Sequence, residues 1–311
     1  MNITLLGGTG FVGRALLARL ASEGHRLTVL SRNPDAHPVR LLPPGVRLVT
    51  GDVYDPAFLR THFEGADAVV NLVGILNESG DNGRGFQRAH VGLTKLVIAA
   101  CQLAGVRRLL QMSSLNAGRG SSFYLKSRGE AEAAVRASGL DWTIFQPSVI
   151  FGPGDGFFCR FAGLLKLSPM MPLARAGTRF APVFVGDVVE AMRLALHDAG
   201  TVGQTYELYG PEVFTLGELV HMTARQLGLK RLVLPLPDAL GRLQGLVFDF
   251  VPGKPFSSDN FRSLQLDSVG AVDGLHRLGI TPTRVGQQLE AILGSPDARQ
   301  SRYDRYRRRP R

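Results

Sequence analysis

The sequence predicts a doubly wound parallel α/β sheet with a smaller, mostly helical C-terminal lobe. Three observations predict it. Short apolar runs alternate with helical periodicity through the first half, a glycine-rich turn follows the first run, and after Pro147 the alternation gives way to proline and helices. Strands are expected at 3–6, 27–30, 47–49, 68–73, 109–112 and 142–145, with helices at 11–23, 57–63, 86–103 and 124–137 between them. The second half promises helices at 187–197, 216–227, 239–250 and 285–293, and short strands at 204–209 and 231–234. The expected division is residues 1–147 for the sheet domain, 148–295 for a lobe interleaved with the sheet's C-terminal edge, and 296–311 for a solvated tail.

Composition narrows the class. Hydrophobic residues make up 44% and charged residues 20% of the 311, a globular balance. Residues 299–311 carry +6 of the net +10, so the body is mildly basic and the tail strongly so. No nucleic-acid module accompanies that charge, which makes nucleic acid an unfavoured partner. An anionic membrane surface fits the Arg-rich tail, and a solubilising tail without a partner is the alternative. Cys101 and Cys159 both sit in apolar helical patterns and read as buried free thiols. No leader or membrane span is legible, so a cytoplasmic protein is expected, with attachment to the inner face of the plasma membrane as the extension. The histidines show no metal-ligand spacing, and no metal is expected.

Gly7-Gly8-Thr9-Gly10-Phe11-Val12-Gly13 lies between a strand and a helix. Gly7 permits the tight turn, Gly10 lets backbone approach a pyrophosphate, and Gly13 lets the helix pack on the sheet; the helix N-terminus then faces the phosphates. The arrangement predicts a Rossmann dinucleotide site, against a bare packing turn. The second strand ends Leu30-Ser31-Arg32-Asn33 without the acid that would bind a free ribose 2′-hydroxyl. Arg32 would instead pair with a 2′-phosphate, so NADP(H) is preferred and NAD(H) is the alternative. Asp52 and Val53 would lie by the adenine, with helix capping the other role for Asp52. Leu72, Val73 and Gly74 end the fourth strand, where small residues let the cofactor pass.

Strand five ends in Ser113 and Ser114, and Tyr124 and Arg128 share one helix face at i and i+4. A serine, a tyrosine and a cation four residues on is the catalytic arrangement of short-chain dehydrogenases. The cation lowers the tyrosine pKa, the tyrosine moves the proton, and the serine positions a carbonyl. Arg128 stands where that pattern has lysine, and the exchange is not conservative. Lys126 lies on another face. A tyrosine that contacts cofactor without turnover remains the other reading.

These motifs resemble the extended and atypical short-chain dehydrogenase/reductase superfamily, the NAD-dependent epimerase/dehydratase-like proteins. Asn71-Leu72-Val73-Gly74-Ile75-Leu76, the run from Gln146 to Asp155, the run from Arg179 to Val188 and Tyr206-Glu207-Leu208-Tyr209-Gly210-Pro211 sharpen the likeness. Together they resemble bacterial relatives of the nucleotide-binding accessory subunit of mitochondrial complex I, over residues 1–293. The resemblance implies a tightly held, structural NADP(H) and a respiratory or quinone-biosynthesis protein partner. The competing implication is an active oxidoreductase or epimerase using Tyr124 on a small apolar or quinone-like substrate. In the superfamily Pro147 and Ser148 would lie by the nicotinamide, with a plain strand-ending turn as the alternative, and Ile150 would join the cofactor site. Phe157 and Arg179 are candidates for the substrate pocket, against a core helix face for Phe157 and a surface ion pair for Arg179.

Overall fold

The computed structural model describes residues 1–32 and 42–294; Asn33 and the Arg-rich tail lie outside the described residues. The first strands are β1 (Asn2–Leu6), β2 (Arg26–Ser31) and β3 (Arg47–Thr50), followed by β4 (Ala68–Asn71), β5 (Arg108–Met112) and β6 (Asp141–Pro147). The strand Gln204–Leu208 joins them in one sheet of order β3-β2-β1-β4-β5-β6 and then that strand. Every pairing in it is parallel, as in Leu5↔Val29 and Leu5↔Val70. A parallel sheet is covered on both faces, which is why β4 reads Ala-Val-Val-Asn with all four residues buried. The strand order reverses between β1 and β4, and the crevice at their C-terminal ends is where such sheets bind ligands.

On one face α1 (Phe11–Ser22) and the helix Val185–His197 pack Leu16, Leu17 and Leu20 with Val188 and Met192. On the other, α2 (Pro56–Phe63) and α4 (Leu93–Ala104) bury Leu59, Phe63, Val97 and Cys101, joined by Val135 of α5 (Phe123–Arg136). The predicted lobe therefore contributes both a sheet strand and a covering helix. Another group of its elements forms a separate layer. The strands Met170–Ala174 and Leu232–Leu236 pair in parallel beside the helices Phe158–Leu167, Leu216–Gln226 and Asp238–Phe248.

Several expectations need correction. The fourth strand stops at Asn71, because the Asn71 side chain accepts from the Val73 N–H and turns the chain. The helix expected at 86–103 is broken into α3 (Arg84–Phe86), a π-helical turn Gln87–Gly92 and α4. Cys159 is exposed, whereas Cys101 is buried and its thiol pKa is pushed up to about 12 by burial. The helix Phe158–Leu167 was not among the expected helices. Among the described residues no helix is long and apolar enough to cross a membrane.

Candidate cofactor and active site

The glycine loop is built as its sequence requires. Gly7 adopts φ +79°, and a side chain there would meet the Leu72 carbonyl carbon at 3.0 Å. A side chain on Gly13 would overlap the Gly7 carbonyl, so this glycine sets how closely α1 approaches the loop. Gly10 differs: its Cβ would meet only the Gly7 oxygen, at 3.2 Å, and it opens α1 with no side-chain cap. The first N–H groups of α1 are therefore available to an anion. Arg14 donates to the Thr9 carbonyl at 2.9 Å, bracing the loop and adding a cation that the sequence reading missed. Phe11 and Val12 are half-buried against the core under α1.

Arg32 is exposed, and its guanidinium carbon lies 5.8 Å from the Tyr54 ring centre. Arg88, from the π-helical turn, lies over the same ring at 4.3 Å. The end of β2 thus carries two cations on one aromatic platform. Asp52 does not cap α2: its Oδ1 accepts from the Tyr54 N–H at 3.0 Å, and Asp55 is the residue that caps the helix. Val53 faces the core.

Arg128 is buried. Its Nη1 donates to the carbonyls of Met112, at 3.1 Å, and Val73, at 3.4 Å, tying the ends of β5 and β4 together. Gly74 is needed for this, because a Cβ there would overlap the guanidinium. The glycine makes room for Arg128, a reason different from the expected one. The guanidinium carbon lies 5.5 Å from the Tyr124 ring centre. Ser113 Oγ, Ser114 Oγ and Arg128 Nε are buried and make no hydrogen bond within the protein. These polar atoms at the sheet's C-terminal edge, with the open Gly10 cradle, fit a bound dinucleotide, because buried polar groups are seldom left unpaired.

Tyr124 is held from the far end of the chain. Asp259, buried in the helix Ser258–Ser263, accepts from the N–H groups of Phe123, at 2.7 Å, and Tyr124, at 3.0 Å. A carboxylate at a helix N-terminus is favoured by the free N–H groups and the dipole. Arg262 pairs with Asp259 and with Asp81 of the loop after β4. Beneath Tyr124, His90 joins Ser127 through Nδ1 at 2.8 Å, and His90 Nε2 accepts from the Ile75 N–H at 3.1 Å. Ser127 in turn donates to the Tyr124 carbonyl.

Burial, then the Arg128 charge, push the His90 pKa from 6.5 down to about 2. Below about pH 6.5 the unfolded chain therefore takes up a proton that the folded chain refuses. The stability from this group is complete above that pH and falls by up to about 1.4 kcal/mol per pH unit as acid is added, until His90 itself titrates at about 2. His90→Gln is expected to flatten the acid limb of stability in urea unfolding; an unchanged limb would remove His90 as its cause.

Ser148 is buried and donates to the Ser268 carbonyl, Pro147 ends β6, and Ile150 packs on the core. Phe157 stacks edge-on with Phe158 and Phe161 in the lobe, so the core alternative applies. Arg179 offers no free guanidinium, because it pairs with Asp267 at 2.8 Å. Glu23, His25 and His197 converge within 4.8 Å of one another, a grouping invisible in their spacing, but Arg19 and Arg193 both pair with that glutamate.

A parallel sheet with a glycine cradle at its reversal point and a Ser–Tyr–cation set at its edge defines a nicotinamide-dinucleotide-binding protein. The comparisons agree. Residues 7–155 match the NAD(P)H-binding family model. Subunit 9 of the NADH dehydrogenase [ubiquinone] 1 alpha subcomplex from Arabidopsis thaliana is 31% identical over 277 residues, covering 86% of this chain and 69% of that one. The ceramide reductase of Caulobacter vibrioides is 32% identical over 240 residues, covering 76% and 74%. The solved UDP-glucose 4-epimerase of Thermotoga maritima superposes with a TM-score of 0.76 at 15% identity, covering 97% of this chain and 100% of that one, a likeness of fold. The chain belongs to the NAD(P)H-binding family that these two relatives represent.

Proposed function

We propose that this chain holds NADP(H) as a resident group and serves a respiratory or quinone-related partner, rather than turning the cofactor over rapidly. The observation that carries this reading is Arg128. The cation of the Ser–Tyr–cation set is bound to two strand-end carbonyls and wedged against Gly74. A guanidinium so committed holds the two strand ends in place and has little freedom to follow a proton transfer at Tyr124. The likeness to complex I accessory subunits supports the same direction.

Gly7, Gly10 and the α1 N-terminus would hold the pyrophosphate, Asp52 would border the adenine, and Ser113, Tyr124 and Arg128 would border the nicotinamide ribose. Arg32 and Arg88 would share the 2′-phosphate. Each charge-assisted bond to that phosphate contributes about 1.5–3 kcal/mol. Arg32→Ala and Arg88→Ala are each expected to lower NADPH affinity roughly tenfold or more while leaving NADH affinity nearly unchanged. Calorimetry showing equal NADPH and NADH affinities in the wild type would defeat the preference.

A second reading is favoured by Ser113 and Ser114, whose hydroxyls are unpaired at the strand end. Bound NADPH supplies a hydride; these hydroxyls would hold a carbonyl oxygen and Tyr124 would hand it a proton. The relative called ceramide reductase points to a lipid-like carbonyl as substrate. Turnover of the purified protein with long-chain ketones separates the two readings. Slow or absent oxidation of NADPH is expected. Brisk oxidation that disappears in Tyr124→Phe would replace the first reading with the second.

A further inference from the structure

The helix Asp238–Phe248 is built inside out. Its fully buried residues are Gly241 and Gly245, set against Phe261 and the backbone of Ser258. Leu240, Leu243, Leu246 and Val247 are each more than half exposed, and just beyond them Phe250 is 84% exposed, with Val251 beside it. At 100° per residue the four helical side chains fall within an arc of about 120°, with Ala239 as the other member and no polar residue among them. An exposed apolar stripe of that length on a soluble fold marks a surface that something covers.

The charges around the stripe identify the occupant. Asp238 is matched by Arg175 at 3.1 Å and Asp249 by Lys254 at 3.9 Å. Arg242 flanks the stripe and forms no ion pair among the described residues. The strand pair beneath the helix leaves Met170 and Leu232 about half exposed, next to exposed Lys166 and Lys230. The border is apolar with cations and no unmatched acid. A second copy seated face to face would set this cationic border of Arg242, Lys166 and Lys230 against its own counterpart. A bilayer containing anionic lipid offers both an apolar interior and the opposite charge.

We infer that the helix Asp238–Phe248 and the turn through Phe250 form a membrane-docking face that lies in the interface of an anionic bilayer. The face adjoins the site. The helix packs on Ser258–Ser263, whose Asp259 holds the N–H groups of Phe123 and Tyr124. Docking would place this helix on the lipid surface with the Ser258–Ser263 segment that holds Tyr124 packed directly behind it. The inference stands whether or not the cofactor turns over, and it does not use the Arg-rich tail.

The test is flotation of the full-length protein with vesicles of equal parts phosphatidylcholine and phosphatidylglycerol, at low and at high salt. The wild type should float at low salt and keep part of its binding at high salt, because salt screens the charges and not the apolar contact. A variant combining Leu243→Gln, Val247→Gln and Phe250→Gln alters only exposed side chains. It should keep the wild-type melting temperature and cofactor affinity and lose roughly tenfold or more of its vesicle binding, with none left at high salt. Wild-type failure to float, or equal flotation of the variant, would overturn the inference. So would a wild-type dimer that the variant converts to monomer without vesicle binding, which would make a second copy the occupant.

Discussion

Gly10→Val is expected to abolish dinucleotide binding while the fold survives. Gly10 has φ −74° and ψ −178°, a conformation open to valine, and the added Cβ meets only the Gly7 oxygen at 3.2 Å. The side chain therefore costs the folded protein little and instead occupies the approach to the first N–H groups of α1. Losing two charge-assisted bonds there, at about 1.5–3 kcal/mol each, weakens binding by roughly a hundredfold or more. Gly13→Val is the contrasting control. Its side chain would overlap Gly7 and Gly8 backbone, so it should lower the melting temperature as well as binding. Calorimetry beside thermal unfolding separates the two outcomes. A Gly10→Val protein that binds normally would reduce the loop to a packing turn.

Gly74→Ala is expected to destabilise the protein through Arg128. The new methyl group overlaps the guanidinium and pushes it from the carbonyls of Met112 and Val73. Each hydrogen bond to a charged group contributes about 1.5–3 kcal/mol, and the two carbonyls lose their buried donor. Arg128→Lys in the same chain should recover much of the loss, because the slimmer ammonium stem can pass the alanine while still donating. Denaturant unfolding of the two single variants and the double variant gives the coupling directly. Additive losses would show that Gly74 and Arg128 do not act as a pair.

The sheet was legible because its strands are buried on both faces, so β1, β2, β4 and β5 stand out as apolar runs between helical patterns. The cradle was legible because Gly7, Gly10 and Gly13 each answer a backbone demand. What escaped depends on long-range geometry. Asp259 lies 135 residues from the Tyr124 N–H it accepts, and nothing local announces that contact. Arg88 reaches Tyr54 from a π-helical turn, whose extra residue shifts side chains off the 3.6-residue period that sequence patterns assume. Arg179 looked like a lone cation because its partner, Asp267, is brought up by an unrelated segment. Asp52 and Asp55 both suit a helix start, and only the fold shows that Asp55 takes the cap. Gly74 was singled out for the right place and the wrong neighbour, since its lack of a side chain accommodates the arginine that replaces the family lysine.

The central claim is that NADP(H) resides in the Gly10 cradle. Denaturing the purified protein and identifying the released nucleotide by chromatography tests it most directly. NADP(H) should be released in near-stoichiometric amount, and none from Gly10→Val protein purified in the same way. Release of NAD(H) instead, or of no dinucleotide from a wild-type protein that also fails to take up added NADPH, would contradict it.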